Sequence, residues 1–576
     1  MVKLVGISAR PWVRGSRCAR VFTSSAKLCG RFSGEAPLAP PFASTATTAS
    51  LNGSHRRLPP HHVGPSWVQR SSLAGAGLVA ALIALALTAN QLRLDAPADS
   101  SEEDDVVEAE AITANKWVVI EDVVYDVSSF VAQHPGGAEL LMQHFGMDIT
   151  PLFNLMHASD VLPRIRNQIR RVGRLAPGAV LEVAGVGADI EEADERRAEL
   201  PPVEAVININ QFEALARTVL GEDSRALNFV SSYADDGAAY QSTCSSWSFL
   251  RLLPRVFRPV EIIDTSTTFL PSSSPIPIPL FYSPTGASSH AHPDGELNVT
   301  RAAAVTGIPQ IVSTMASVAF ADLAAERDKL RQAGQDKAEL WFQLYVMKDR
   351  KASEFRLRQA LENGARAIVV TVDVAAIGNR EKDVAAPPAK TRERKAGGPT
   401  ETGVAAQGAR LFDADLTWAD LDWIKRHAPG LPVIVKGVST VADVQLAHQH
   451  GAAGVILSNH GGRQLDSAPP PLATLVRLRQ QQPNLLDDPK FEVYIDGGVK
   501  RGTDVLKALC VGAKGVGIGR AALYSSACYG HEGVIRATDI LTKEITTGMR
   551  LLGAKSVKDL KPEMVELLDG LVGKQL

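Results

Sequence analysis

The fold class is α/β: a closed (β/α)8 TIM barrel over the C-terminal part of the chain, with a small α+β domain in front. Three observations predict it. From about residue 275, apolar runs alternate with helix-like segments eight times over roughly 300 residues, the repeat number of a closed barrel. The runs are apolar throughout, as in strands covered on both faces of a parallel sheet. Ahead of them, a segment of roughly 75 residues carries short strands and helices too small to enclose much core unaided.

The 576 residues are 45% hydrophobic and 22% charged, enough for two or three cored domains. A net charge of −2 gives no reason to expect a nucleic-acid partner. Cys18, Cys29, Cys244, Cys510 and Cys528 are scattered without a CxxC, which argues against a disulfide framework or a zinc site. Residues 1–70 hold ten Lys/Arg against one acid, Glu35, in a Ser-, Thr-, Ala- and Pro-rich stretch, the composition of a mitochondrial transit peptide.

Residues 71–95 form a hydrophobic sorting or transmembrane segment. No charge falls between Arg70 and Arg93, and the 17 residues Leu73–Ala89 are almost wholly apolar, about the minimum that crosses a bilayer. A retained anchor, a buried helix and a sorting signal removed later all fit that length. Basic residues before it and the acidic run Asp99–Glu110 after it favour a membrane role. An inner-membrane anchor of this kind would leave the rest of the chain in the mitochondrial intermembrane space.

Residues 106–178 form the small domain. Lys116-Trp-Val-Val-Ile and Val123-Val-Tyr-Asp-Val read as two short strands around a turn. Ser128–Gln133 looks helical and breaks at His134-Pro-Gly-Gly, and a second helix spans Ala138–Phe145. His157 follows His134 by 23 residues, each among apolar neighbours. Two neutral imidazoles closing on a haem iron from opposite faces would explain the pair. The stretch 113–174, with WVVI, VYDVSSF, HPGG and the second histidine, resembles a cytochrome b5-like domain. That resemblance implies haem b with His134 and His157 as axial ligands. The lead-in before Trp117 is shorter than the family's. Residues 179–205 follow, rich in Pro, Gly and charge without a sustained apolar period, and read as a mobile hinge.

Residues 206–565 hold the barrel. The expected strands are Ile276–Tyr282, Gln310–Ser313, Leu340–Val346, Ala367–Val372, Pro432–Lys436, Gly454–Leu457, Glu492–Ile495 and Gly515–Ile518. Helices are expected at Leu323–Gly334, Arg350–Gly364, Thr417–Ala428, Val441–Gly451 and Thr503–Gly512, among others. Barrel active sites lie at the C-terminal ends of the strands. The polar groups there are Thr285, Ser313, Gln343 with Tyr345, Thr371 with Asp373, Lys436, His460 with Arg463, Asp496, and Gly519 with Arg520. His460 beside Arg463 pairs a base with an anion clamp, which suits proton abstraction next to a carboxylate. The last two loops, Asp496-Gly-Gly-Val-Lys-Arg and Gly515-Val-Gly-Ile-Gly-Arg, offer exposed amides and cations where this fold often binds phosphate.

WFQLYV (341–346), TVDVAAIGNREKD (371–383), PVIVKGV (432–438), GVILSNHGGRQLD (454–466), YIDGGVKRGTDVLKAL (494–509) and GAKGVGIGR (512–520) resemble the FMN-dependent α-hydroxy acid dehydrogenase and oxidase family. The resemblance implies that His460 removes a substrate proton, from Cα or from the hydroxyl if hydride passes directly to flavin. It implies that Asp373 steadies the imidazolium, that Arg463 and Arg380 clamp the substrate carboxylate, and that Tyr345 bonds the substrate hydroxyl. Lys436 would stabilise negative charge on the reduced ring. Gly286, Ser313, Gln343 and Thr371 would meet the flavin, and Asp496, Gly497, Gly498, Lys500, Gly519 and Arg520 its phosphate side.

With the haem domain in front, the expected reaction is oxidation of a short L-2-hydroxy acid, foremost L-lactate to pyruvate, with electrons leaving through haem to cytochrome c from a homotetramer. An oxidase producing hydrogen peroxide and a low-activity electron shuttle are the alternatives. Three departures from the family pattern stand out. Phe229 replaces a substrate-binding tyrosine, with Tyr233 where glycine is usual. Lys500 replaces arginine, which keeps the charge but loses the fork. The stretch 381–410, rich in Ala, Pro, Gly and Lys, reads as a mobile loop. Met315, next to the Ser313 tip, is a candidate for touching the substrate side chain, or plain barrel packing.

Overall fold

The computed structural model describes residues 105–134, 138–142, 144–150, 153, 162, 165–181, 189–272, 274–335, 337–385 and 411–568. The expected transit peptide and apolar segment lie outside the described residues, as does His157. Among the described residues, no helix is long and apolar enough to cross a membrane.

The small domain is a four-stranded sheet in the order β1-β4-β3-β2, built from β1 (Val106–Val107), β2 (Val118–Ile120), β3 (Val123–Asp126) and β4 (Arg170–Leu175). Glu121 and Asp122 both take positive φ, 53° and 63°, which turns β2 back onto β3 as a tight antiparallel hairpin. Alternation splits the strand residues between two faces. Val118 and Ile120 pack with Val127, Leu141, Ile149, Phe153 and Ile169, while Val119 and Val124 pack with Val107 and Ile112 of helix α1 (Ala109–Asn115). Only Val131–Gln133 of the expected Ser128–Gln133 helix is helical, as a single 3-10 turn, and helix α2 runs Ala138–Met142.

The stretch read as a hinge contains a helix. Helix α3 (Asp189–Ala198) docks through arginines rather than an apolar stripe. Arg197 donates to the carbonyls of Ala527 (2.7 Å) and Ala291 (3.0 Å), and Arg196 donates to that of Val219 (3.1 Å). An apolar period is therefore missing although the segment is fixed. Helices α4 (Ile209–Leu220), α5 (Arg225–Ser231) and α6 (Ala238–Ser246) follow, with α4 and α5 capped by the side chains of Asn208 and Ser224. Strand β5 (Leu250–Leu252) pairs antiparallel with β14 (Val565–Leu567).

The barrel strands are β6 (Leu280–Tyr282), β7 (Gln310–Val312), β8 (Leu340–Leu344), β9 (Ile368–Thr371), β10 (Val433–Val438), β11 (Gly454–Leu457), β12 (Glu492–Asp496) and β13 (Gly515–Ile518). They close in sequence order, all parallel, with β9 on β10 and β13 on β6. The expected strands all occur, shifted by a few residues at some ends.

The interior is filled by Phe281, Ile311, Trp341, Val369, Ile434, Ile456 and Tyr494, one from each of β6 to β12, with Phe269 and Ile276 from the preceding segment and Ala367. Strand β13 contributes no interior side chain. A Cβ on Gly515 would lie 2.5 Å from the ring of Phe269, and one on Gly517 would lie 2.3 Å from Ser283 Oγ and 2.6 Å from the ring of Phe281. The outward residues of the same strands, such as Val433, Val435, Val455 and Leu457, join the larger core beneath the helices.

Candidate active site

The interior ring of apolar groups dictates what stands at the mouth. Strand side chains alternate, so the residue two positions after each interior group faces the same way, one layer higher. Those residues are Ser283, Ser313, Gln343, Thr371, Lys436, Ser458 and Asp496. Nearly all are buried: Gln343 at 0% exposure, Thr371 at 1%, Lys436 at 3%. Ser283 and Ser458 were not singled out from the sequence, although the same period reveals them. Ser283 Oγ donates to Asp496 Oδ2 at 3.3 Å. Ser458 Oγ accepts from Lys436 Nζ at 3.3 Å and from the His460 amide at 3.1 Å.

The remaining candidates sit on the loops just above. His460, Arg463, Arg380, Tyr345, Lys436, Gly286, Ser313, Met315, Asp496, Gly497, Gly498, Lys500, Gly519 and Arg520 all line one cavity. His460 Nδ1 lies 3.1 and 3.2 Å from the two oxygens of Asp373. A neutral imidazole donating from Nδ1 to this carboxylate carries its lone pair on Nε2. Burial, followed by Lys436 and Arg380, holds the His460 pKa below the ordinary histidine value, with Asp373 acting in the opposite sense. Burial works against the charge of Asp373, but His460 and Lys436 outweigh it and keep the carboxyl below its usual range.

Burial likewise opposes the charge of Lys436, and Asp496, Asp373 and Tyr345 more than restore it, so its pKa is raised. Its Nζ lies 3.7 Å from Asp496 Oδ2. Tyr345 stacks on Phe412 at 4.5 Å, and burial pushes its phenol upward.

The two arginines expected at a substrate carboxylate are tied down by backbone. Arg463 NH1 donates to the carbonyls of Phe229 (2.7 Å), Val230 (3.3 Å) and Ser232 (3.4 Å), and its guanidinium lies 5.1 Å from the Phe229 ring centroid. Arg380 donates from Nε to the Arg463 carbonyl (3.1 Å) and from NH2 to Gln464 Oε1 (2.9 Å). Neither forms an ion pair among the described residues. Burial and mutual repulsion lower the Arg463 pKa, and burial lowers that of Arg380. Asp383, itself buried, acts in the opposite sense on both but reaches neither as an ion pair among the described residues, and two buried cations with so little opposing charge make an anion site.

The glycines after His460 serve packing. A Cβ on Gly461 would lie 2.8 Å from Arg520 NH1, and one on Gly462 would lie 2.6 Å from the Tyr240 backbone; both have positive φ.

The residues assigned to a flavin fit a polar ring edge. Gln343 Oε1 accepts from Ser313 Oγ and the Thr314 amide, both at 3.2 Å, but Gln343 Nε2 is buried without a partner, as is Thr371 Oγ1. Both open groups sit in the mouth layer, where a heteroaromatic ring could satisfy them. Gly286 leaves a gap that a Cβ could not share with Met315, whose carbonyl oxygen would be 2.8 Å away. Lys500 is engaged by an acid the sequence reading missed: its Nζ lies 2.8 Å from Glu213 Oε2. Burial opposes the Glu213 charge, yet Lys500 and Arg217 bring its pKa below the usual value. The pair spans 287 positions and carries no local sequence signal. Of the stretch 381–410 expected to be a mobile loop, Glu381–Ala385 forms a short helix, because Arg380 and Asn379 anchor its start; 386–410 lie outside the described residues.

In the small domain, His134 follows the Val131–Gln133 turn with its ring edge-on to Phe130, centroids 5.8 Å apart.

Residues 216–567 match the family model described as FMN-dependent dehydrogenase, and residues 103–176 match cytochrome b5-like heme/steroid binding domain. The chain is 36% identical to L-lactate dehydrogenase (cytochrome) of Saccharomyces cerevisiae over 474 residues, 78% of this chain and 77% of that protein. It is 35% identical to 2-hydroxyacid oxidase 2 of Homo sapiens, covering 63% of this chain and 99% of the relative. A solved structure of mutant flavocytochrome b2 with pyruvate bound superposes with a TM-score of 0.58 at 37% identity, over 66% of this chain and 91% of that one.

Proposed function

Because the chain belongs to the FMN-dependent dehydrogenase family and carries a cytochrome b5-like domain ahead of its barrel, we propose that it oxidises L-lactate to pyruvate and delivers the electrons through haem b to cytochrome c. The single observation that carries this reading is His460, paired with Asp373, lining one cavity with two buried arginines that form no ion pair among the described residues.

Arg463 and Arg380 hold the substrate carboxylate, which supplies the directly paired anion their buried guanidinium groups lack. Tyr345 donates to the substrate hydroxyl. Nε2 of His460 takes the proton, and Asp373 stabilises the imidazolium that results. FMN, when bound, accepts the two electrons that leave the substrate. Ser313, Gln343 and Thr371 would hold its polar edge, Gly286 would admit its face, and Asp496, Gly497, Gly498, Lys500, Gly519 and Arg520 would line its phosphate side. Lys436, kept charged by Asp496 and Asp373, would favour negative charge on the ring. His134 and His157 would ligate the haem iron. Cytochrome c as acceptor, a homotetramer and residence in the mitochondrial intermembrane space, with residues 71–95 as an inner-membrane anchor, complete the proposal. The basic presequence and the flanked apolar segment support the location.

In purified protein, L-lactate should bleach the flavin and then reduce the haem. Peroxide formation without haem reduction would favour an oxidase, for which the human relative is the precedent. His460→Gln should abolish flavin reduction while FMN stays bound; unimpaired reduction in that variant would remove His460 as the base.

A further inference from the structure

Four side chains form a stack that ends on a cation of the proposed phosphate side. Lys382 Nζ lies 4.9 Å from the Tyr233 ring centroid. Tyr233 stacks on Tyr240, centroids 5.4 Å apart and planes 15° from parallel. The Arg520 guanidinium lies 5.0 Å from the Tyr240 centroid. Around its edge, Arg520 donates to the carbonyls of Val230 (3.1 Å), Gly461 (2.9 Å) and Ser232 (2.7 Å). A ring beneath and carbonyls at the rim fix the direction of the fork, yet none cancels its charge, and Arg520 forms no ion pair among the described residues. Lys500, the other cation there, already faces Glu213. Arg520 is therefore left as the oriented, unanswered charge.

The backbone is shaped around the two rings. Gly237, at φ 77°, could not carry a Cβ, which would fall 2.7 Å from the Tyr233 ring. Burial pushes the Tyr240 hydroxyl up to about 12, so the ring stays a neutral phenol.

Resting on the FMN reading above, we propose that Tyr240, backed by Tyr233, is a positioning residue that aims Arg520 at the phosphate of the cofactor. The test uses the full haem-containing chain, stripped of flavin and titrated with FMN and, separately, with riboflavin, which lacks the phosphate; binding is followed by flavin fluorescence. Tyr240→Ala should weaken FMN about tenfold, in line with a desolvated cation–π contact, and leave riboflavin affinity unmoved. Tyr240→Phe keeps the ring face and should bind FMN like the wild type. Tyr240→Leu, which preserves bulk should the alanine variant fail to fold, should lose FMN affinity as alanine does. Unchanged FMN affinity in the Ala and Leu variants, equal loss in Tyr240→Phe, or equal loss for riboflavin would each overturn the proposal. A wild-type chain that takes up neither flavin would overturn the cofactor reading itself.

Discussion

His460 holds φ at 58°, in the left-handed region where a residue with a Cβ is strained. The hydrogen bond its amide N–H donates to Ser458 Oγ, the Asp373 contact to its ring and the two glycines after it keep it there. Its depressed pKa sets a pH signature. A base that must be neutral, with its pKa below the ordinary value, is already competent at neutral pH, so the acid limb of kcat/KM should fall below about pH 6.5. Asp373 raises that pKa, so Asp373→Asn should move the limb to still lower pH while cutting kcat about 10²- to 10⁴-fold. A wild-type limb above the ordinary histidine value, in a pH–rate profile, would count against His460. At this scale the sequence exposed most mouth residues through their position after apolar runs. It hid Glu213, whose partner Lys500 is distant in the chain, and it hid the backbone carbonyls that restrain Arg463, because a carbonyl has no residue type.

The strands were legible because both their faces are apolar and turn residues bound them. Helix α3 was not. Its residues lack an apolar stripe, and it is fastened by guanidinium–carbonyl bonds plus an i,i+4 pair of Glu192 with Arg196 at 2.8 Å. Arg197 carries the largest share, with its side chain only 12% exposed. Arg197→Ala should therefore free α3, weakening its docking by about 1.5–3 kcal/mol. Hydrogen exchange would reveal faster amide exchange in 189–198 with little change in the barrel strands. Undisturbed protection there would mean that other contacts hold the helix.

Across the whole molecule, the two family matches divide the chemistry between a two-electron site and a one-electron carrier. His134→Ala should abolish the haem absorbance and cytochrome c reduction, yet L-lactate should still bleach the flavin. Haem retained at full occupancy in that variant would dismiss His134 as an axial ligand. The barrel and the order of its strands were readable from the eightfold alternation. The empty interior of β13 was only half readable: its glycines looked like phosphate-loop features, whereas two of them make room for Phe269, Phe281 and Ser283.

The mouth groups stand one alternation beyond the groups that plug the barrel, so a single in-frame codon inserted ahead of the plug residue in any of β6 to β12 would turn both sets outward together. Loss of chemistry and loss of the fold are thus the same accident for this class of mutation. Lineages diverging from this chain can lengthen loops that carry none of the mouth groups, but the spacing inside those seven strands, and the short reach from β11 to His460 and Arg463, is closed to them.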